Sequence, residues 1–196
     1  MKNFNLLVLA LFASVTAFAQ SGAYQLGDKV ESFSATASDS RTVALSEFSG
    51  AKAVVIVFMN NQCAYSKQYE SRLVSLAAAY ANKGVQFIFL NPSIGTSEGS
   101  ETLQDMASKK YAFPYLADEG QQLTAKFGAT KTPEAFVLHN NGGEFVLKYK
   151  GAIDDNPQVE AGVKSNYLKN VIDEVLENKT VTSLGKRPTG CMIRKN

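Results

Sequence analysis

A cysteine placed shortly after a buried strand is the residue of this sequence best suited to covalent chemistry. Residues 53–58 form a continuous apolar, β-branched run, and Cys63 follows after a short polar break. A helical pattern of apolar residues begins directly after it. Free N–H groups and the dipole at a helix start stabilise an anion, so a thiolate there has a lowered pKa and is a nucleophile. Cys63 is therefore predicted to be reactive rather than structural, with Lys67 adding positive charge one turn on.

The composition excludes several other kinds of site. The 196 residues carry a net charge of +2, and the body of the chain has no basic run longer than Lys109-Lys110, so nucleic acid is not an expected partner. The chain has a single histidine, His139, which excludes a zinc site built from several histidines. His139 ends a predicted strand and is expected to be exposed. Asp154 and Asp155 precede an Asn-Pro pair and are interpreted as turn residues rather than cation ligands. We expect no metal and no cofactor.

The first nineteen residues have the layout of a cleaved export signal. Lys2 is followed by an apolar stretch at residues 4–12, and Ala17-Phe18-Ala19 gives the small-x-small pattern of a cleavage point. A membrane anchor is the alternative, but the apolar stretch is shorter than the ~20 residues that span a bilayer. The mature chain is therefore expected in the periplasm or outside the cell, without a membrane span, in a compartment where disulfides form.

The hydrophobic pattern predicts the elements that position Cys63. The strand at 53–58, the helix that ends at Lys83-Gly84 and a strand at 85–90 make a βαβ unit, so the two strands should be parallel. The pattern further predicts an edge strand at 33–36, helices at 101–111, 121–127 and 165–178, a strand at 114–117, and a hairpin of residues 134–138 and 144–149. Asp118 is predicted to cap the helix at 121–127. The fold class is α/β, with one domain over residues 20–179 and a tail at 180–196.

Four parts of the sequence resemble a known superfamily. The segment from Val54 to Lys67, in which Cys63 follows Phe58 by five positions, resembles the active-site strand and loop of the thioredoxin superfamily. Thr132-Pro133 ahead of a strand resembles its cis-proline segment, which faces the nucleophile. Residues 149–155 and the tail motif at 190–195 make the chain similar to bacterial redoxins of the alkyl hydroperoxide reductase and thiol-specific antioxidant group, which are peroxiredoxin-like. The likeness covers residues 27–195 and implies a thioredoxin-like fold, with helices on both faces of a mixed sheet.

The resemblance implies a thiol oxidoreductase with antioxidant activity. Cys63 would attack a disulfide or a peroxide, and an external thiol reductant would regenerate it. The Thr132–Pro133 bond is expected to be cis. The residues expected to shape the site are Asn60, Asn61, Gln62, Ser66, Lys67, Thr132 and Pro133.

Two departures from the family patterns affect the function. Ser66 stands where thioredoxins have their second active-site cysteine, so the usual internal release of a mixed disulfide is missing. This favours an alternative from another class, a non-catalytic binding module that traps partners through Cys63. Asn60 stands where peroxiredoxins have a threonine, so peroxide chemistry lacks its own motif. Glu70, two turns after Cys63, is expected to be a solvated helix residue.

Cys191, in the tail, is the second cysteine of the chain. Gly185, Pro188 and Gly190 make this tail flexible enough to swing, and some peroxiredoxins carry a resolving cysteine in such a tail, within one chain or across a dimer. An exported protein with two cysteines either pairs them or leaves both exposed to oxidants. Two interpretations stay open: Cys191 resolves Cys63, or it is a buried or unpaired tail residue. The sequence also leaves open whether the chain forms a homodimer.

Overall fold

The computed structural model describes residues 22–95, 99–183 and 185–195. The predicted export signal lies outside the described residues. The helices are α1 (Ala64–Ala81), α2 (Leu103–Ala107), α3 (Gln122–Phe127) and α4 (Tyr167–Leu176). The strands are β1 (Lys29–Val30), β2 (Ser34–Ala37), β3 (Thr42–Ala44), β4 (Ala53–Phe58), β5 (Val85–Asn91), β6 (Tyr115–Ala117), β7 (Lys131–Thr132), β8 (Glu134–Asn141), β9 (Glu144–Gly151) and β10 (Cys191–Met192). No helix in these described ranges has the length and apolar character needed to cross a membrane.

Within the described residues the strands form a mixed eight-stranded sheet and a separate pair. The order in the large sheet is β1-β9-β8-β4-β5-β6-β2-β3. β4 pairs parallel with β5, as the βαβ unit predicts, and β8 pairs antiparallel with β9, as the hairpin predicts. β4 also pairs antiparallel with β8. β10 pairs antiparallel with β7, outside the large sheet. The predicted α/β thioredoxin-like fold is confirmed.

The central strand β4 is buried on both faces, and its alternation divides the core into two clusters. Val55 and Val57 belong to the cluster that contains the apolar faces of α1 and α4. Val54 and Ile56 belong to the cluster on the other face, which includes Phe127 of α3. All six β4 residues are fully buried. This packing fixes the carboxyl end of β4, from which the chain passes into the loop that holds Cys63.

Several predicted boundaries need correction. The strand predicted at 33–36 is not an edge strand, because β2 lies between β6 and β3. The helix predicted at 101–111 is only α2, because the Thr102 hydroxyl accepts the Asp105 N–H at its start and Lys110 adopts a positive φ of 52° beyond its end. The last helix is shorter than 165–178 and spans Tyr167–Leu176.

Asp118 caps α3 as predicted. Its carboxylate accepts the backbone N–H groups of Leu123 and Thr124 at 2.9 and 2.7 Å. Two of the donors left free at a helix start are therefore satisfied. α3 is in turn packed through Phe127 against the face of β4 opposite α1.

Candidate active site

Cys63 lies at the N-terminal end of α1, as the sequence predicts. It is the N-cap residue of this 18-residue helix, and it is 5 % exposed. Its own N–H donates to Oδ1 of Asn60 at 2.8 Å, which closes the loop between β4 and α1. The free N–H groups of the first turn and the helix dipole are therefore available to stabilise a negative charge on the Cys63 sulfur.

The Cys63 sulfur is bonded to Cys191. The two cysteines are 128 positions apart in the chain, and their Cα atoms are 6.0 Å apart. Cys191 lies opposite Thr132 in the β10–β7 pair. Of the two interpretations left open by the sequence, the unpaired tail cysteine is wrong for this structure.

The Thr132–Pro133 segment faces Cys63, and the bond between its two residues is cis. The carbonyl oxygen of Thr132 is 3.1 Å from the Cys63 sulfur. In the disulfide this sulfur carries no hydrogen, so the approach is a contact; in the reduced protein the thiol can donate to the carbonyl. The predicted cis bond is present, and Thr132 lies at the cysteine.

A buried carboxylate that the sequence did not identify builds the loop before Cys63. Glu101 is 2 % exposed, and its Oε1 accepts the backbone N–H groups of Asn61 and Gln62 at 2.8 and 3.0 Å. Its Oε2 accepts from Nδ2 of Asn91 at 2.8 Å. The sequence assigned Glu101 to a helix, but it precedes α2. No spacing connects it with Cys63, because the contact depends on how the loop after β5 returns to the end of β4.

The amide side chains predicted to shape the site act mainly by holding this loop. Asn60 donates from Nδ2 to the Ser93 hydroxyl at 2.7 Å, in addition to accepting the Cys63 N–H. Asn61 accepts from the Tyr115 hydroxyl at 3.1 Å. Gln62 is exposed beside the disulfide. Asn60 and Asn61 therefore fix the position of Cys63, whereas Gln62 faces solvent.

The first turn of α1 contains the two remaining predicted residues. Ser66 is fully buried, and its hydroxyl accepts the Asn60 N–H at 3.4 Å. Lys67 is exposed, so its charge lies at the surface of the helix start. Glu70 is not solvated as expected, because it accepts from Lys109 Nζ at 2.7 Å and from the Tyr111 hydroxyl at 2.9 Å.

Glu134 is a second buried carboxylate that the sequence did not identify. It follows the cis-proline, is 6 % exposed, and accepts the N–H groups of Thr130 and Lys131 at 2.8 and 3.2 Å. These bonds hold the chain that enters β7. Glu134 therefore positions Thr132 opposite Cys63 through the backbone of the two preceding residues.

The tail is fastened to the domain and does not swing free in this structure. The carbonyl of Lys186 accepts the Ala152 N–H at 2.9 Å, and the Ile193 N–H donates to the Thr130 carbonyl at 3.0 Å. The Ile193 side chain also packs against the core cluster that contains Phe127. The prediction of a flexible tail is therefore wrong for the oxidised chain, since strand pairing and apolar contacts add to the disulfide.

A cleft of about 540 Å³ opens beside the disulfide. Cys63 is nearly inaccessible, whereas Cys191 is half-buried and Met192 is 63 % exposed. The side chains of Asn60, Gln62, Ser93, Arg194 and Lys195 also line this cleft. Of the two cysteines, Cys191 is therefore the more exposed to a molecule in this cleft.

Two polar residues away from the cysteines, Asp154 and His139, are buried or half-buried. Asp154 is buried, accepts from the Tyr69 hydroxyl at 2.6 Å and pairs with Arg72 at 2.9 Å, so it is a packed ion pair in addition to a turn residue. The residues described contain no group of three or more side chains arranged to hold a metal. His139 lies inside β8 and is half-buried, not exposed at a strand end, and burial lowers its pKa.

Comparison with known proteins gives a family and several similar structures. The sequence model of the AhpC/TSA family matches residues 26–155. A hypothetical protein from Sinorhizobium meliloti is 26% identical, with a TM-score of 0.79 over 90% of this chain and 97% of that one. An uncharacterized conserved protein from Geobacillus kaustophilus is 28% identical, with a TM-score of 0.79 over 88% and 93%. A protein described as a thiol:disulfide interchange protein, DsbE, from Chlorobium tepidum shares the fold at 21% identity, with a TM-score of 0.58 over 79% and 99%. A search among curated proteins found no match.

Proposed function

This chain belongs to the AhpC/TSA family, and we propose that it is a thiol oxidoreductase in which Cys63 and Cys191 alternate between dithiol and disulfide. The observation that carries the proposal is the bond between them, which joins a cysteine at a helix start to one on a docked tail strand. The thioredoxin-like fold supports it. Thiol and disulfide groups are accordingly the chemistry expected of its substrates and reductants.

Cys63 is the nucleophile of the first step. Its thiolate attacks a disulfide sulfur and expels the other sulfur as a thiolate. Alternatively it attacks a hydroperoxide oxygen and becomes a sulfenic acid, and the hydroxide or alkoxide that leaves takes a proton from solvent. The start of α1 supports this role, because its free N–H groups stabilise the thiolate. The Thr132 carbonyl, 3.1 Å from the sulfur, acts as an acceptor for the neutral thiol.

Cys191 resolves the product of the first step. Its thiolate attacks the Cys63 sulfur and expels the partner's thiolate, or hydroxide from the sulfenic acid, so that the Cys63–Cys191 disulfide forms. An external thiol then attacks the sulfur of Cys191, the more exposed of the two cysteines, and Cys63 leaves as a thiolate at the helix start. A second external thiol completes the reduction and leaves both cysteines as thiols.

The alternative of a binding module that traps partners is less favoured. That interpretation depended on Ser66, which leaves Cys63 without a second cysteine in the first turn of α1. Cys191 reaches the same sulfur from the tail. A mixed disulfide at Cys63 therefore has an internal thiol that can release it.

Export of the chain is a further part of the proposal. The signal pattern at residues 1–19, with cleavage after Ala19, supports a mature protein in the periplasm or outside the cell. A disulfide that closes on the tail is consistent with such a compartment. Intact-mass measurement of protein recovered from the periplasm tests this, since a chain that still begins at Met1 would contradict it.

Turnover of a hydroperoxide and of a protein disulfide by the reduced chain tests the activity. We expect at least one substrate to be consumed with an excess of thiol reductant. Cys63→Ser should abolish both the first step and turnover. Cys191→Ser should still consume one equivalent of substrate per chain in the first step. It should lose turnover unless the external thiol takes over the role of Cys191. Loss of the first step in Cys191→Ser, or its survival in Cys63→Ser, would contradict the assigned roles.

A further inference from the structure

The tail occupies the edge of the strand that faces Cys63. β10 pairs antiparallel with β7, Cys191 lies opposite Thr132, and the Ile193 N–H continues the pairing to the Thr130 carbonyl. The strand pair is separate from the large sheet, so within the described part of the chain β10 is the only strand that pairs with β7. If β10 leaves, β7 presents unpaired backbone groups next to the reactive sulfur, which is a template for another extended segment.

The fit between the tail and this edge sets a requirement at each of two positions. A Cβ atom on Gly190 would lie 2.4 Å from the Thr132 carbonyl oxygen and 2.8 Å from its carbonyl carbon. Gly190 does not adopt a positive φ, so only the close approach to Thr132 demands glycine there. Two positions after Cys191 a second requirement arises, because the Ile193 side chain packs against the core. Met192 between them is largely exposed and adds no requirement.

We propose that the β7 edge is a docking site for a partner protein, and that it selects an extended segment with glycine directly before the reacting cysteine and an apolar residue two positions after it. The proposal deepens the proposed function and rests on it. In the oxidised chain the tail holds this edge as a resident copy of the partner segment. Reduction of Cys63–Cys191 leaves the tail held only by non-covalent contacts, so a partner can replace it.

The chemistry at the docked segment is a disulfide exchange. The Cys63 thiolate attacks the partner's glycine-preceded cysteine, which is in a disulfide, and forms a mixed disulfide while the partner's second sulfur leaves as a thiolate. Cys191 then attacks Cys63, and the partner cysteine leaves as a thiolate. The partner is reduced by two electrons, and Cys63 and Cys191 are oxidised by two. Because β10 and the partner segment need the same edge, formation of the internal disulfide also removes the product.

Activated peptides test this selectivity on the full-length chain. The variant Gly190→Ala/Cys191→Ser weakens docking of the chain's own tail and leaves Cys63 as the only thiol. The probes are Thr-Gly-Cys-Met-Ile-Arg, the same peptide with alanine in place of glycine, and the same peptide with aspartate in place of isoleucine, each carrying a thiopyridyl group on its cysteine. Release of thiopyridone reports attack by Cys63. We expect the alanine and aspartate peptides to react at least about tenfold more slowly, a difference of about 1.4 kcal/mol in activation free energy.

A small activated disulfide without a peptide is the control. If it reacts with Cys63 but the three peptides react at equal rates, the docking edge is refuted while the proposed function stands. If neither the small disulfide nor any peptide reacts faster with Cys63 than with a free cysteine, the proposed function itself fails. Covalent dimers joined through Cys63 and Cys191 of different chains in the oxidised wild type would assign the edge to a second copy and overturn the partner assignment.

Discussion

Removing the disulfide should lower stability mainly through the unfolded state. In Cys191→Ser the folded chain keeps the backbone pairing of β10 with β7 and the packing of Ile193, so few native contacts change. The unfolded chain, however, loses a cross-link between positions 128 apart. The chain-entropy relation gives a loss of about 5 kcal/mol at 25 °C for a loop of that length, as an upper value. With an m-value of about 2 kcal/mol/M in urea, the unfolding midpoint should fall by at most about 2.5 M.

Urea unfolding of oxidised wild type, reduced wild type, Cys191→Ser and Cys63→Ser measures this difference. The three forms without the bond should unfold at similar urea concentrations, and the oxidised wild type well above them. Adding reductant should leave both variants unchanged, which is the control for nonspecific effects of the thiol. An oxidised wild type within about 1 kcal/mol of the variants would refute the reasoning, because the chain-entropy relation gives a much larger difference for a loop closed over 128 positions.

Three further predictions follow from single residues. Glu101→Ala should lower the free energy of unfolding by about 2–4 kcal/mol, because charge-assisted bonds to two loop N–H groups are lost. It should also change the rate of Cys63 alkylation. Glu119→Ala, at an exposed site, is the control, and equal stability of the two variants would contradict the role of Glu101. Ser66→Cys should raise the rate of insulin reduction, because it supplies a second thiol in the first turn of α1, and no gain would argue against a thioredoxin-like helix start. Burial lowers the pKa of His139 in the folded chain, so the unfolded chain takes up the proton first as the pH falls. The free energy of unfolding should therefore decrease below pH ~6.5. His139→Gln should make this decrease smaller, and a variant with the same pH profile as the wild type would contradict the role of His139.

Local pattern was sufficient to predict the elements that carry the nucleophile. The apolar run that became β4 is buried on both faces, and the helix after Cys63 begins where predicted. Thr132-Pro133 also lies against Cys63, with the expected cis bond. These features depend on residues close together in sequence or on a motif whose spacing is characteristic.

Contacts between distant segments were not predictable from local pattern or motif spacing. Glu101 bonds to the loop before Cys63 because the chain after β5 folds back on it, and no periodicity encodes that return. The tail glycines suggested flexibility, yet Gly190 is needed for a close approach to Thr132. Glycine permits both a mobile tail and tight backbone packing, so its identity alone does not decide between them.

Predicted boundaries failed where a local cap or a non-local pairing decided them. The capping interaction between Thr102 and Asp105 starts α2 later than the apolar pattern suggests. The strand predicted at the sheet edge is covered on both sides, because β6 and β3 both pair with it. Its weak apolar alternation does not distinguish an edge strand from an inner strand near the end of a sheet.

The reduction potential of the Cys63–Cys191 bond tests the central claim most directly. The oxidised protein is equilibrated in thiol redox buffers of defined potential, the free thiols are alkylated after acid quench, and the oxidised fraction is read by intact mass. A bond that is made and broken in each reaction cycle should have a midpoint above about −300 mV. A midpoint below about −300 mV would mark a structural disulfide and contradict the proposal that Cys63 and Cys191 are a working redox pair.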